Sequence, residues 1–558
     1  MAGREENLSR EKIAYFSMEM ALSDDMHTFS GGLGVLAADA VRSSADLNIP
    51  LVAVTLVSKM GYFRQELTED GVQIERPDEW DPSRFMQRLN DEVTVQIEGR
   101  DVRVRAWVYV VESPMGGTVP VYFLDTDVDG NAPGDKEITS YLYGGDEAYR
   151  IKQEIVLGIG GVRMLEKLGV NIRKYHMNEG HSAFLAVELL RRHELDVDSV
   201  RRMCVFTTHT PLESAQDKFN YNLVREILGE LIPFELLQRL GGRDSLNMTL
   251  LALNLSHYVN GVGKKHKLVS KEKFPSYEFH AITNGIHSYT WTCESFRRLY
   301  DKYIPGWVQE PELLMRVDII PDNEVWQAHQ EAKEGLIDYV NSLAGAGLDY
   351  ESLTIGFARR ATEYKRHTML FSDLERLKKA ARRGNIQLIF AGKAHPKDYG
   401  GKMLIKQIFD AKRILKDYVK VVYLENYGLN MAAKLVSGVD VWLNTPSPPN
   451  EASGTSGMKA AHNGVINFSV LDGWWIEGWI EGVTGWAIGP EPDANLSPEE
   501  RLARELDDLY GKLEYVVIPL YYKNRVEWIT MMKNSIGKLA SYFNSHRMMF
   551  RYLTQAYL

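Results

Sequence analysis

The chain has 558 residues, of which 44% are hydrophobic and 25% are charged, the composition of a globular protein too long for one hydrophobic core. Its formal net charge of −10 excludes a broadly basic surface for nucleic acid. No apolar run approaches the roughly 20 residues that span a membrane. Cys204 and Cys293 are too few for a disulfide framework or a thiolate zinc site, and the charged N-terminus lacks the apolar core of a signal peptide. We therefore expect a cytoplasmic protein.

Short apolar runs alternate with amphipathic stretches along the first half of the chain. Strands are predicted over residues 13–17, 51–57, 174–177 and 203–207, and helices over residues 35–46 and 182–192. Between residues 93 and 124, apolar and polar residues alternate with the period of two that half-buried strands show. This half therefore predicts parallel βαβ units with antiparallel strands inserted among them.

The second half repeats the alternation more regularly. Strands are predicted over residues 353–358, 387–391, 420–424, 439–444 and 465–471, and helices over residues 368–383, 429–437 and from about residue 455. From residue 499 onward the pattern is mostly helical. The chain thus predicts two α/β halves that meet near Asn284, with ligands bound in a cleft between them, beyond the carboxyl ends of the strands.

Basic residues follow the first predicted strand of the second half. Arg359 and Arg360 come directly after it, and Lys365 lies near the predicted start of the next helix. Arginine offers forked donors to a phosphate, and lysine adds a point charge. Cations are disfavoured at the positive end of a helix dipole, so their presence there indicates a bound anion. The simpler alternative is a solvated basic helix start.

A long segment with prolines and glycines follows the strand at 439–444 and ends where a helix is predicted to start. Its last part can present backbone N–H groups and hydroxyls to an oxyanion, at Gly454, Thr455, Ser456 and Gly457. Lys459 lies in the first helical turn, and Tyr427 lies in the turn after another strand. Together these strand ends predict one pocket able to hold more than one phosphate. The residues alone do not distinguish a sugar nucleotide from a phosphorylated cofactor.

The first half contributes weaker candidates. Residues 30–34 form a glycine turn that opens a helix, suited to close approach of a phosphate or sugar, or simply a tight turn. His176, Glu179 and His181 resemble a metal cluster, but they straddle a strand-to-helix turn and lack a helical i, i+4 histidine pair, so we predict no metal site. His209 follows a strand end, where it either bonds a sugar hydroxyl or is structural.

Several motifs, in the same order along the chain, resemble those of the glycogen/starch (α-glucan) phosphorylase family. EASGTSGMK at residues 451–459 resembles the cofactor-lysine motif, and RRATEYKR at residues 359–366 resembles the phosphate motif. Further matches are SGGLGVLAAD, HMNEGHSAF, TTHTP, AITNGIHSYTW, LENYGLNMAAK and NGVINFSVLDG. The resemblance covers residues 16–475 and implies a short-type α-glucan phosphorylase. Such an enzyme releases α-glucose 1-phosphate by retaining phosphorolysis of terminal α-1,4-linked glucose from glycogen, starch or maltodextrin.

The resemblance also implies a fold, an α/β architecture of the GT-B type with two Rossmann-like domains and a catalytic cleft between them. Residues 1–283 would form the N-terminal domain with its inserted strands. Residues 284–529 would form the C-terminal, cofactor-binding domain, and a C-terminal helix over residues 530–558 would pack back on the first domain. Family members are commonly dimers, so a homodimer is expected as well.

Site residues of the family can be carried over position by position. Lys459 would form the Schiff base with pyridoxal 5′-phosphate. The phosphate and ring of this cofactor would be lined by Arg359, Tyr427, Gly454, Thr455, Ser456 and Gly457. Arg360 and Lys365 would hold the substrate phosphate, assisted by the backbone of Gly32. The transferred glucosyl residue would lie near Leu33, His181, His209, Asn284, Glu451 and Ser453.

In the family, the 5′-phosphate of the cofactor is the proton partner of the substrate phosphate, which protonates the glycosidic oxygen and then adds to the same face of the sugar. The resemblance therefore implies inorganic phosphate and an α-1,4-glucan as substrates, with His209 near the anomeric centre. No motif marks a glycosidase-type carboxylate pair. Gly428 replaces a basic residue of the family, and Ser456 and Gly457 replace its usual Gly–Asn. Because no N-terminal extension is seen, we expect an enzyme that adenosine monophosphate does not activate.

Two other functions share parts of this pattern. A GT-B glycosyltransferase that elongates glucan from a sugar nucleotide would share the fold and the basic phosphate site, but it has no reason to place Lys459 after a glycine-rich loop. A non-catalytic glucan-binding protein on the same fold would be expected to have lost Lys459, Arg360 or Lys365. All three are present, which favours the phosphorylase.

Overall fold

The computed structural model describes residues 11–211 and 216–558; the charged segment 1–10, on which the signal-peptide prediction depends, lies outside the described residues. The chain forms two compact units. Of the described residues, the first unit contains those up to Phe63, Pro77–Thr283 and Met548–Leu558, and the second contains Arg64–Arg76 and Asn284–Arg547. Within these described ranges, no helix combines the length and apolar character needed to cross a membrane.

The first unit is built on a mixed sheet of nine described strands. In chain order these are β1 (Lys12–Ser17), β2 (Leu51–Leu56), β3 (Gln87–Ile97), β4 (Arg100–Glu112), β5 (Thr118–Asp125), β6 (Ile172–Asn178), β7 (Cys204–Thr207), β8 (Tyr258–Gly261) and β9 (His280–Ala281). Their order across the sheet is β9-β8-β7-β6-β1-β2-β5-β4-β3. Neighbours from β9 to β5 are parallel, whereas β4 is antiparallel to β3 and β5. The predicted antiparallel insertion is therefore confirmed, and the winding of the parallel part reverses between β1 and β6.

Helices of the first unit cover the sheet and provide its core. Their bounds are Gly32–Asp46, Pro133–Lys136, Glu147–Ile155, Gly161–Lys167, Phe184–Arg192, Val197–Met203, Tyr221–Leu228, Phe234–Gly241, Met248–Asn254 and Lys264–Lys273. A separate two-stranded antiparallel sheet pairs Lys218–Asn220 with Ser245–Asn247. The first helix begins at Gly32 and not at residue 35, so the glycine motif forms its first turn. Helix Ser545–Tyr552 contains the point at which the chain passes back from the second unit to the first.

The second unit is built on a parallel sheet of six described strands. These are β10 (Leu353–Ala358), β11 (Ile386–Ala391), β12 (Lys420–Leu424), β13 (Val441–Asn444), β14 (Ile466–Val470) and β15 (Gly485–Ile488), in the order β12-β11-β10-β13-β14-β15. This is the 3-2-1-4-5-6 order of a Rossmann fold, whose winding reverses between its first and fourth strands. Ligands of such sheets bind at that reversal, which here lies between β10 and β13. The predicted bounds of β10 and β12 are confirmed.

Helices of the second unit are more numerous than the sequence pattern indicated. Their bounds are Ser288–Trp291, Glu294–Tyr303, Asp322–Ala344, Leu374–Ala381, Tyr399–Leu415, Leu429–Gly438, Ser456–His462, Trp475–Gly478, Pro498–Lys512, Ile518–Lys523 and Arg525–Asn534. A short hairpin, Arg64–Leu67 with Gln73–Arg76, also belongs to this unit. Each unit is thus an α/β structure around a large parallel sheet, as predicted.

One helix prediction is wrong in a way that matters for the site. The helix expected over residues 368–383 spans only Leu374–Ala381, because Asp373 accepts the N–H of Arg376 and caps the helix there. Before it, Lys365 ends a short 3-10 turn, and Arg366 adopts a left-handed backbone with φ of 51°. The basic residues therefore do not lie at the start of an α-helix, and the dipole argument for an anion fails.

Candidate active site

Two of the predicted phosphate-binding cations meet on one carboxylate at the winding reversal of the second unit. Arg359 follows β10, and Glu451 lies in the long loop after β13. Nη2 of Arg359 donates to Oε2 of Glu451 at 2.9 Å, and Nζ of Lys365 donates to the same oxygen. Two of the three strand ends that were predicted to converge, those after β10 and β13, are joined by these side-chain contacts.

The cluster formed by Arg359, Lys365 and Glu451 carries more positive charge than its one carboxylate balances. Nε and Nη1 of Arg359 are buried without a hydrogen-bond partner among the described residues. Burial, followed by repulsion from Arg359, lowers the pKa of Lys365 to about 8. Burial alone would raise the pKa of Glu451, but the two cations outweigh it and hold that pKa below its usual range. Buried unpaired donors are costly, so the cluster is suited to receive an anion.

Arg360 differs from its neighbour. Its side chain is exposed, whereas Arg359 is half-buried and Lys365 is buried. The structure thus brings Arg359 and Lys365 together and leaves Arg360 at the surface of its unit. An exposed guanidinium at a strand end keeps its forked donors available to a phosphate.

Lys459 lies on the first turn of helix Ser456–His462 and is only 7% exposed. Its Nζ stands 3.8 Å from the ring centroid of Trp291, within the range of a cation–π contact. Packing requires a glycine at position 457, two residues before Lys459. A Cβ at Gly457 would lie 2.3 Å from Oδ1 of Asn467 and 2.7 Å from Trp474. Gly454 has a φ of 71°, which favours glycine. The predicted position of Lys459 in the first turn of a helix that follows a glycine-rich segment is confirmed.

The remaining predicted residues of the loop have local partners. The hydroxyl of Ser456 accepts the indole N–H of Trp442 at 3.0 Å, and the hydroxyl of Ser453 donates to the carbonyl of Gly454 at 3.1 Å. Thr455 is the N-cap residue of the helix. The contacts of Ser456 and Ser453 stabilise the loop before this helix.

Tyr427 lies half-buried in the turn after β12. The preceding residue, Asn426, has a left-handed φ of 58°, and its N–H donates to Oε1 of Gln65 at 2.9 Å. The N–H of Leu67 donates to Oε2 of Glu425 at 2.8 Å. The hairpin Arg64–Leu67 with Gln73–Arg76 therefore supports this turn, a role that the sequence pattern did not indicate.

In the first unit, His209 and its neighbours gather where β1, β6 and β7 end. Nε2 of His209 bonds Oδ1 of Asn178 at 2.5 Å, and its backbone N–H donates to Oε2 of Glu179 at 2.7 Å. Asn178 also donates to the hydroxyl of Ser17 at 3.1 Å. Burial lowers the pKa of His209 to about 3 and raises that of Glu179 to about 7. His209 is therefore a neutral, fixed imidazole near neutral pH.

His176 and His181 have separate environments. Nδ1 of His176 bonds the hydroxyl of Tyr557 at 2.6 Å, and its Nε2 bonds the hydroxyl of Thr207 at 2.8 Å. Nε2 of His181 instead lies 3.3 Å from Oδ2 of Asp217. Burial lowers the pKa of His181 to about 4, and its Nδ1 is buried without a partner among the described residues. His176 is structural, whereas His181 keeps one nitrogen for a ligand.

Gly32, Leu33 and Asn284 complete the predicted set. Gly32 is exposed and Leu33 half-buried at the start of their helix, and a Cβ at Gly32 would meet no described atom within 4 Å. Asn284, in the second unit, is buried; its carbonyl accepts Nη2 of Arg547 at 2.9 Å. Its Oδ1 is buried without a partner in the described ranges. An amide held by its backbone with a free side-chain oxygen is suited to a hydroxyl donor.

The family model for carbohydrate phosphorylases matches residues 12–132 and 233–481 of this chain. The chain is 41% identical to the maltodextrin phosphorylase of Thermococcus litoralis, over 98% of this chain and 70% of that protein. It is 36% identical to the glycogen phosphorylase of Aquifex aeolicus, over 99% of this chain and 87% of that protein. The chain belongs to the carbohydrate phosphorylase family. The family resemblance that the sequence motifs indicated is thereby confirmed.

One residue of this phosphorylase that sequence reasoning missed is Asp472, just beyond β14. Oδ2 of Asp472 accepts the N–H of Glu451 at 2.8 Å, and its Oδ1 accepts the N–H of Gly473 at 3.0 Å. Burial and the nearby charge of Glu451 raise the pKa of Asp472 to about 7. Its position after a parallel strand was the signal that could have identified it, since that edge carries the site.

Proposed function

We propose that this protein is an α-glucan phosphorylase that transfers the terminal α-1,4-linked glucose of glycogen, starch or maltodextrin to inorganic phosphate with retention, giving α-glucose 1-phosphate. The observation that carries the proposal is the cluster of Arg359, Lys365 and Glu451 at the winding reversal of the second unit. It combines two cations with buried, unpartnered guanidinium donors. Family membership supports phosphorolysis over other phosphate chemistry.

Pyridoxal 5′-phosphate is the cofactor that we propose, and the residues present fit it. Lys459 offers a buried amine for covalent attachment, and Arg359 offers two unpartnered N–H donors for a phosphate. The remaining residues that would hold the cofactor are Tyr427, Gly454, Thr455, Ser456 and Gly457. When bound, the cofactor would supply its 5′-phosphate as the proton partner of the substrate phosphate.

Lys365 and Arg360 would hold the substrate phosphate beside the cofactor, with the backbone of Gly32 assisting. Fixed cations are needed there because two phosphates side by side repel each other. Lys365 is already buried with Glu451, so phosphate binding would exchange one anion for another. Glu451 and Ser453 would then face the glucosyl residue.

His209 would contact the sugar as a neutral imidazole. With its pKa near 3, it is not a proton donor at neutral pH. Because its Nε2 bonds the amide oxygen of Asn178, the proton lies on Nε2, and Nδ1 is the acceptor. His209 would therefore accept a sugar hydroxyl. Asn284, Leu33 and His181 would complete the glucosyl contacts.

We also propose the GT-B arrangement for the two units. Each has a parallel sheet whose winding reverses once, as two Rossmann-like domains would, and the family assignment supports it. The predicted domain boundaries, the homodimer and the cytoplasmic location remain predictions.

The test is phosphate-dependent release of glucose 1-phosphate from maltoheptaose by the native protein, by Lys459→Ala and by Lys459→Arg. We expect activity and the near-ultraviolet absorbance of bound cofactor in the native protein, and neither in the two variants. Lys459→Arg keeps the charge but not the attachment, so it separates the two roles. Transfer from a sugar nucleotide without phosphorolysis would identify a glycosyltransferase. Undiminished phosphorolysis in Lys459→Ala would reject the cofactor assignment.

A further inference from the structure

A buried glutamate controls the start of the first helix. Glu19 follows β1 and is only 3% exposed. Its Oε2 accepts the N–H of Ser30 at 2.6 Å and the N–H of Gly31 at 3.1 Å. Both donors immediately precede helix Gly32–Asp46. A buried carboxylate that follows β1 therefore binds the first two N–H groups of the glycine turn.

Glu19 is itself held in place. Its Oε1 accepts the hydroxyl of Tyr143 at 3.0 Å, and the guanidinium of Arg150 lies 4.4 Å from the ring centroid of Tyr143. A Cβ at Gly34 would lie 3.0 Å from Oε2 of Glu19 and 2.9 Å from Cβ of Phe29. The glycine turn is thus packed directly against the carboxylate, with no room for a larger residue.

We infer that Glu19 is a positioning residue for the substrate phosphate, an inference that depends on the proposed phosphorylase function. By holding the N–H groups of Ser30 and Gly31, Glu19 would fix the conformation of the turn and so leave the next donor, the N–H of Gly32, for the phosphate. Glycines give this turn wide conformational freedom in the absence of such a constraint. Charge-assisted hydrogen bonds to a buried carboxylate are strong enough to remove that freedom.

The open surface at Gly32 supports this role. Gly32 is exposed, and a Cβ there would meet no described atom within 4 Å, whereas Gly34 two residues later is enclosed. The N–H groups of the first helical turn have no intrahelical acceptors. The turn therefore has one side committed to Glu19 and one side available to an anion.

A purely structural role would have a different signature. If Glu19 only stabilised the unit, its loss would lower the melting temperature and leave the KM for phosphate unchanged. A positioning role predicts a selective rise in the KM for phosphate, because an error of about 1 Å in a binding group costs up to about a hundredfold in rate. Glu19→Gln keeps one side-chain oxygen as an acceptor for the two N–H groups. The KM for phosphate of this variant should therefore stay close to that of the native enzyme.

The experiment measures phosphorolysis of maltoheptaose at varied phosphate by the full-length, cofactor-loaded protein. We expect Glu19→Ala to raise the KM for phosphate roughly tenfold, Glu19→Gln by no more than about threefold, and Tyr143→Phe by an intermediate factor. The KM for maltoheptaose should change less. Glu188→Ala is the matched control: it removes another buried carboxylate of this unit, bonded to Arg163 and Arg191, and should lower the melting temperature only.

The outcomes separate the two hypotheses. An active native enzyme whose KM for phosphate is unchanged in Glu19→Ala, or equally raised in Glu19→Ala and Glu19→Gln, overturns this inference and leaves the proposed function standing. A native protein without phosphorolysis overturns the proposed function and the inference with it. If Glu19→Ala does not fold, Tyr143→Phe decides, since a wild-type KM for phosphate in that variant rejects the role of Glu19.

Discussion

Arg359 donates to Glu451 across 2.9 Å, and this contact joins two strand ends that lie 92 residues apart in the sequence. Lys365 shares the same carboxylate oxygen. The substrate phosphate that we propose would therefore compete with an anion that the protein itself supplies. Several measurable properties of the enzyme depend on that competition.

Glu451→Gln should tighten phosphate binding while it impairs turnover. Without the carboxylate, two buried cations lack their partner, and breaking a buried pair in this way costs about 3–5 kcal/mol. The phosphate-free variant should therefore melt at a lower temperature, and phosphate should raise its melting temperature more than that of the native protein. Glu514→Gln, which removes a buried carboxylate paired with Lys379 and Arg383, should show no enlarged phosphate shift. An unchanged phosphate shift in Glu451→Gln would contradict the competition.

Phosphate affinity should weaken as the pH rises through about 8. Burial and Arg359 lower the pKa of Lys365 to about 8, so the free enzyme loses one phosphate-binding charge above that pH. Lys365→Arg should abolish this dependence, because a guanidinium stays charged in that range. The measurement is the KM for phosphate between pH 7 and pH 9.5, and parallel pH curves for the two proteins would disprove the assignment.

The first unit should lose stability as the pH falls below about 6.5. Burial lowers the pKa of His176 to about 3 and of His181 to about 4, whereas histidine in an unfolded chain titrates near 6.5. Between these values the unfolded chain binds protons that the folded chain does not. The free energy of unfolding therefore decreases as the pH is lowered. The free energy of unfolding, measured with urea between pH 7 and pH 5, should depend less steeply on pH in His176→Asn than in the native protein. The exposed His280 provides the control, since His280→Asn should keep the native slope.

Gly457→Ala should abolish cofactor binding. The added Cβ would lie 2.3 Å from Oδ1 of Asn467 and 2.7 Å from Trp474, so helix Ser456–His462, which carries Lys459, must shift. Overpacking of this kind costs about 1–3 kcal/mol. Gly335→Ala, in helix Asp322–Ala344, is the control: its Cβ meets no described atom within 4 Å, and it should stabilise by about 0.5–1 kcal/mol. Full cofactor absorbance in Gly457→Ala would show that the helix tolerates the displacement.

Sequence patterns predicted best the parts of the fold that local physics determines. Strand β10 is a mainly apolar run that is buried throughout, and in β12 only the first residue, Lys420, is exposed; the bounds of both strands followed from that composition. The cluster that contains Arg359 and Lys365 was anticipated because polar residues follow parallel strands at the edge of the sheet where ligands bind. The glycine-rich approach to Lys459 was found for the same reason.

The missed features depend on contacts between distant parts of the chain. Glu19 lies in none of the quoted motifs, and Asp472 lies in a motif that does not by itself indicate a role; both accept backbone N–H groups that the folded chain brings to them. The hairpin Arg64–Leu67 with Gln73–Arg76 supports the turn at Asn426 through contacts across 361 residues of sequence. The helix that was predicted to begin at residue 368 begins at Leu374, because Asp373 is its N-cap, a signal that the apolar periodicity did not show.

The return of Met548–Leu558 to the first unit has a consequence for biosynthesis. His176 lies on a strand in the first third of the chain, yet its Nδ1 is satisfied by Tyr557. Tyr557 leaves the ribosome only after the whole second unit has been translated. The first unit therefore cannot form this buried hydrogen bond until synthesis of the second unit is complete. A fragment ending at Thr283 would therefore lack the partner of Nδ1 of His176.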